Sequence, residues 1–178
     1  MKLLLHTCCA PCLIYPYEFL KKQDYEVQGF FYNPNIQPLS EYKNRKKAVE
    51  DYAKSVGIIV HYEEKYQPED FFRLVANNEK APKRCHFCWQ FRLKKTAELA
   101  KEKGFDCFST TLLVSPYQDI EKIKEIGEEI SKNTGIRFIF GDFRSGFRDA
   151  HKKAKDLDIF CQKYCGCIFS EIERHERI

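Results

Sequence analysis

The stretch that decides the fold is Leu3-Leu4-Leu5-His6-Thr7-Cys8-Cys9-Ala10-Pro11-Cys12. It opens with a short apolar run, which reads as a buried strand. The strand runs straight into a cysteine-bearing loop, and Pro11 suits the first turn of a helix beyond it. That helix is expected over Cys12 to Lys22, with Pro16 able to shift its start. The alternation continues along the chain. Val27–Tyr32, Ile58–Tyr62, Phe105–Leu113 and Ile136–Phe140 read as strands. Ser40–Val56, Glu69–Val75, Cys85–Lys103, Ser115–Asn133 and Arg148–Leu157 read as helices, several stopped by a glycine. Strands alternating with helices predict a Rossmann-like α/β three-layer sandwich with a mostly parallel sheet. Its crossovers should be right-handed, and its ligands should sit at the carboxyl ends of the strands. Cys8 and Cys9 directly follow the first strand and belong at that edge.

The 178 residues suit one α/β domain over 1–178. Residues 64–95 are expected to project as a cysteine-rich insertion, and 161–178 to form a compact cysteine-bearing tail. With 43% hydrophobic and 31% charged residues, the chain is globular rather than disordered. No apolar run approaches the roughly 20 residues of a membrane span. The apolar start is too short for a signal h-region, so a cytoplasmic protein without membrane attachment is expected. Lys and Arg number 30 against 26 Asp and Glu, a net charge of +4. That balance permits an anionic partner without demanding one. Basic residues cluster at Lys43, Arg45, Lys46 and Lys47, at Lys83 and Arg84, and at Arg92, Lys94 and Lys95. Arg144, Arg148, Lys152, Lys153 and Lys155 form a late basic stretch. These read either as solvated helix faces or as a phosphate-binding surface near the cysteines.

Nine cysteines are unusual for this length, and eight of them fall in three tight groups. An odd number without an export signal points to metal or redox chemistry rather than a disulfide scaffold. Cys8, Cys9 and Cys12 form C-C-x-x-C, and Cys85 and Cys88 form C-x-x-C at the start of a helix. Thiolates from these two segments, 6–12 and 84–88, could enclose a [4Fe-4S] cluster or a tetrahedral zinc. Adjacent Cys8 and Cys9 make a poor zinc knuckle, because neighbouring side chains tend to diverge. Cys9-Ala10-Pro11-Cys12 also has the form of a dithiol oxidoreductase motif. Cys165-Gly166-Cys167 can close a small, readily reduced disulfide ring, or supply metal-binding or structural thiols. Cys107 stands alone in a strand pattern and reads as a core thiol.

Other candidates lie near the same edge. His6 could supply a proton, although such a histidine is more often a packed core residue. Tyr32, Asn33 and Asn35 follow the second strand, and Ser109, Thr110 and Thr111 fall late in the fourth. Ser145-Gly146-Phe147-Arg148 could touch an anion or a base. No Gly-rich nucleotide fingerprint or Walker lysine is present. The tip after the first strand also lacks the Ser-Gly-Gly turn of the ATP pyrophosphatases.

Four segments together resemble the QueH-type epoxyqueuosine reductase family. They are Leu-His-Thr-Cys-Cys-Ala-Pro-Cys at 5–12, Tyr-Asn-Pro-Asn-Ile at 32–36, Arg-Cys-His-Phe-Cys at 84–88 and Tyr-Cys-Gly-Cys at 164–167. The resemblance implies a HUP-like fold and reduction of epoxyqueuosine to queuosine at the tRNA wobble position, without cobalamin. It implies that Cys8, Cys9, Cys85 and Cys88 hold a [4Fe-4S] cluster and that Cys165 and Cys167 form a redox-active disulfide. It further implies a second iron, for which Cys12 is the nearest candidate. The partners would be the anticodon stem-loop of a tRNA and an electron donor of unknown identity. Competing readings are a tRNA thiolase or desulfurase, a zinc-stabilised RNA-binding module and a metal-free dithiol oxidoreductase. The missing ATP-binding turn argues against thiolation.

Overall fold

A computed structural model describes residues 1–176. β1 (Lys2–His6) occupies the middle of a five-stranded sheet with β2 (Glu26–Phe31), β3 (Val60–Tyr62), β4 (Cys107–Thr110) and β5 (Arg137–Phe138). The strand order is β3-β2-β1-β4-β5, and every pairing is parallel. Leu3 faces Val27 on one side and Cys107 on the other; His6 faces Phe30 and Thr110. Leu3, Leu4 and Leu5 are all fully buried, as required of a central strand with helices over both faces.

The helices are α1 (Ala10–Lys21), α2 (Leu39–Val56), α3 (Pro68–Val75), α4 (Lys83–Glu102), α5 (Ile120–Thr134), α6 (Phe147–Asp156) and α7 (Ile168–His175). α1 packs against α2 and α6, while α4 packs against α5, β1 and β4, with α3 laid on α4. This is the expected Rossmann-like, HUP-like three-layer sandwich. From β1 the chain winds outward through β2 to β3. The α3–α4 connection, which includes the segment expected as an insertion, then returns it to β4 beside β1. The strand order therefore reverses between β1 and β4, and the helices that follow them, α1 and α5, pack in different layers, as at a switch point.

Several element ends differ from the sequence reading for local reasons. α1 begins at Ala10, with Pro11 in its first turn and Pro16 in its interior. Pro16 has no N–H, so the Cys12 carbonyl lacks its usual helical donor. β4 stops at Thr110 rather than Leu113. The Thr110 hydroxyl accepts from the Leu112 amide at 3.1 Å and turns the chain into a 3-10 segment over Thr111–Val114. α5 begins at Ile120 rather than Ser115, because the Asp119 carboxylate accepts from the Lys122 amide at 3.0 Å and caps the helix. β5 keeps only two of the expected five residues. The tail contains α7, which its composition did not announce.

α6 approaches α1 closely at Gly146. A Cβ there would lie 2.0 Å from the Tyr15 ring, so the contact admits no side chain. Gly146→Ala should therefore lower stability by about 1–3 kcal/mol through overpacking. A reduced urea midpoint at unchanged slope would register this.

Candidate metal centre

β1 ends at His6, and the chain turns at Cys8 and Cys9 before Cys12 enters the first turns of α1. The three sulfur atoms lie within 4.8 Å of one another. The divergence expected of adjacent cysteines does not occur: Cys8 Sγ and Cys9 Sγ are 3.7 Å apart. Extended backbone at Cys9, the α1 N-cap, carries the chain through this turn. From the β4 side, the Thr111 hydroxyl donates to Cys8 Sγ at 3.3 Å and accepts from the Cys8 amide at 3.1 Å. Hydrogen bonds from Cys12, Cys9 and Thr111 hold the Cys8 thiol well below its ordinary range. The Cys12 thiol is raised, chiefly because it donates to Cys8. Burial likewise raises Cys9. The arrangement favours the charged form at Cys8 and the S–H form at Cys9 and Cys12, whose protons a metal would displace.

A second group of cysteines comes from distant sequence. A helix that connects parallel strands runs back against them, so α4 begins at the carboxyl edge of the sheet. Cys85, Cys88 and Arg92 follow i, i+3, i+7 spacing and share one face of α4. Cys85, Cys88, Cys165 and Cys167 line one cavity together with Asn35 and Arg92. Burial pushes Cys85 up to about 11 and Cys88 up to about 12, so as free thiols both stay protonated at neutral pH. All four are free thiols, with Cys165 exposed and Cys167 buried. Gly166 between them has φ +137°, and a Cβ would meet Ile36 at 3.0 Å and Asn35 at 3.1 Å. Both the backbone and the space demand glycine there.

Three arginines from the expected surface clusters are instead buried. Arg45, Arg84 and Arg92 are only 1%, 2% and 1% exposed. Arg45 pairs with Glu41 at 2.7 Å and donates to the carbonyls of Tyr164 and Cys165, each at 3.0 Å. Arg84 forms a two-pronged pair with Glu173 of α7 at 2.9 and 2.8 Å. These two arginines pin the cysteine-bearing tail over the sheet edge. Arg92 donates to the Cys88 carbonyl at 3.3 Å and to Asn33 Oδ1 at 3.4 Å. Reading α4 by faces rather than by charge runs would have found Arg92, because it shares the Cys85–Cys88 face.

The remaining expected residues separate into two sets. Asn33 joins the site, bonding the Thr7 carbonyl at 2.9 Å and receiving Arg92. Thr110 and His6 lie beneath it: His6 bonds Thr110 Oγ1 at 2.9 Å and the Tyr32 carbonyl at 3.2 Å. Burial, reinforced by the Arg92 charge, lowers His6 to about 3. It is a neutral core residue, which argues against the proton-donor role. The Ser109 hydroxyl bonds the Ile139 carbonyl, away from the cysteines. Gly146 is packed on Tyr15, while Ser145 and Arg148 are exposed. Cys107 is a fully buried core thiol, as expected.

The donor set fits a thiolate-bound metal or cluster. Among the described residues, Asn35 Oδ1, Arg84 Nε and Arg92 Nη2 are buried side-chain atoms without a hydrogen-bond partner, and all three residues line the four-cysteine cavity. Gln162 Oε1 is another, and its amide nitrogen donates to Cys12 Sγ at 3.6 Å. Buried orphan atoms are rare in native proteins. Their gathering around thiols marks a place shaped for a bound group.

The family model described as "Epoxyqueuosine reductase QueH" matches residues 3–173. A protein of that name from Thermotoga maritima is 39% identical, the match covering 98% of this chain and 92% of that protein. Its namesake from Dehalococcoides mccartyi is 36% identical, with 97% and 94% covered. A solved structure described as a predicted subunit of tRNA methyltransferase from Methanocaldococcus jannaschii superposes with a TM-score of 0.53 at 14% identity. It covers 86% of this chain and 74% of its own, a likeness of fold alone.

The Arg84–Glu173 pair yields a local test. Glu173 is 35% exposed, whereas Arg84 is 3%. Glu173→Ala should therefore cost about 2 kcal/mol, below the roughly 3–5 kcal/mol of a fully buried broken pair. The loss should appear as faster amide exchange in 165–176 with little change in β1 or β4.

Proposed function

Because the chain belongs to the epoxyqueuosine reductase QueH family, we propose that it reduces epoxyqueuosine to queuosine at the wobble position of a tRNA anticodon. It is an oxidoreductase, and in this reading it works through an iron–sulfur cluster and cysteine redox chemistry. The observation that supports this best is the convergence of cysteines at one sheet edge. Cys8, Cys9 and Cys12 form one group at the end of β1, and Cys85, Cys88, Cys165 and Cys167 line one cavity at the start of α4.

Cys8, Cys9, Cys85 and Cys88 would hold a [4Fe-4S] cluster, and Cys12 beside them would help to hold a second iron. A cluster bound there supplies electrons singly. Cys165 and Cys167 serve as the redox pair. Closing their disulfide releases two electrons and two protons. Converting an epoxide to an alkene consumes the same number of each, as both carbon–oxygen bonds break and the oxygen leaves as water. An external electron donor then restores the dithiol.

The RNA side of the reading rests on the cavity rim. Tyr117 is 85% exposed and precedes Gln118. The Gln118 amide donates to Cys165 Sγ at 3.8 Å, and its oxygen accepts from Trp89 Nε1 at 3.0 Å. Tyr117 also meets Phe147 edge-on at 6.0 Å, next to exposed Arg148 and Lys152 of α6. An exposed ring next in sequence to Gln118, which touches Cys165, suits stacking on a splayed base, and the flanking cations suit phosphates. A tRNA substrate implies a cytoplasmic location. Among the described residues, no helix is long and apolar enough to cross a membrane.

Anaerobically purified protein should carry about four iron and four sulfide per chain for the cluster, with visible absorption that dithionite bleaches. It should also remove one oxygen from epoxyqueuosine in tRNA, measured by nucleoside mass spectrometry. Zinc without sulfide, or no metal after reconstitution, would sink the reading. Cys165→Ser should retain sulfide but lose turnover. Tyr117→Ala should raise KM for the tRNA about tenfold, from the ~1–3 kcal/mol of one stacked base. Its kcat should change little, and Tyr117→Phe should restore KM.

A further inference from the structure

Arg92 differs from the other two buried arginines of the site. Arg45 is balanced by Glu41 and Arg84 by Glu173. Among the described residues, no carboxylate lies within 4.0 Å of Arg92. Its bonding partners are two neutral dipoles at long range, the Cys88 carbonyl at 3.3 Å and Asn33 Oδ1 at 3.4 Å. Among the described residues Nη2 has no partner, in a residue 1% exposed that lines the four-cysteine cavity.

An isolated guanidinium in such a place is costly unless an opposite charge joins it. Burial opposes the Arg92 charge, and negative charge on Cys88, Cys165, Cys8 and Cys167 would favour it. The cysteines of both groups are therefore the source of the missing negative charge. Cys85 and Cys88 carry that charge only when their protons are displaced, which is what metal ligation does.

We propose that Arg92 is the counter-charge of the cysteine cavity, a positioning residue that neutralises a thiolate-ligated iron–sulfur cluster and raises its reduction potential. This rests on the iron–sulfur reading above. Reduction adds negative charge to a cluster, so a fixed cation beside it favours the reduced state, and net charge is one determinant of cluster potentials. Nη2 and its hydrogen atoms are the part of the guanidinium left free to face that charge.

The test is a spectroscopic redox titration of the anaerobic protein, with sulfide content measured on the same samples. Arg92→Gln should shift the midpoint to a more negative potential, while Arg92→Lys, which keeps the charge, should stay nearer the parent. If the glutamine variant keeps native circular dichroism but fails to hold sulfide while the lysine variant holds it, the charge is required for assembly, and the proposal stands. A sulfide-bearing Arg92→Gln with the parent's potential overturns the proposal and leaves the iron–sulfur reading intact. A lysine variant shifted as far as the glutamine variant overturns it too. A parent protein without labile sulfide overturns the iron–sulfur reading itself.

Discussion

Helices that connect parallel strands must run back against them. Strand carboxyl ends and helix amino ends therefore meet along one edge of the sheet. In this molecule that constraint brings cysteines up to 80 positions apart, Cys8 and Cys88, to the same edge. β1 delivers Cys8 and Cys9 to the edge, α1 begins there with Cys12, and α4 begins there with Cys85 and Cys88. The reversal of strand order between β1 and β4 opens the crevice that receives them. Thr111, just past β4, closes it from the other side by bonding Cys8. The partial positive charge of helix N-termini further favours thiolate at this edge.

Charge then shapes what the edge can hold. Arg45 fastens the tail through the carbonyls of Tyr164 and Cys165, and Arg84 through the Glu173 carboxylate; together they bring Cys165 and Cys167 over the crevice. Gly166 makes the link between those thiols possible where Ile36 and Asn35 leave no room for a Cβ. Among the described residues Arg92 has no carboxylate partner, and it lines the cavity with four of the thiols. The contrast among three equally buried arginines separates the anchors from the residue that responds to charge in the cavity. The apolar core beneath, from Leu3 to Leu5, gives these polar groups a rigid support, with His6 kept neutral at its upper end.

The parallel α/β architecture and the cysteine segments were legible in the sequence because they are local signals. Apolar runs of the right length, glycines at helix ends and paired cysteines at short spacing need no partner to be recognised. Element ends were less legible. The Thr110 hydroxyl turning β4 early, and the Asp119 carboxylate capping α5, depend on side-chain geometry that composition does not reveal. α7 was missed for a related reason: its short run gains its place from Arg84 holding Glu173, an interaction spanning 89 residues.

By itself the sequence determined that this chain is an α/β protein with clustered thiols and the motifs of its family. Only the tertiary structure decided which of its charges are buried. Lys43 and Arg45 look alike in a basic run, yet one is solvated and the other lies 1% exposed beneath the tail. Tertiary structure also decided that Cys8 and Cys9 converge at 3.7 Å, and that Cys165 and Cys167 share a cavity with Cys85 and Cys88. The reason is physical. Backbone preference and hydrophobic period act over a few residues, whereas desolvation and Coulomb attraction depend on what the completed fold brings near.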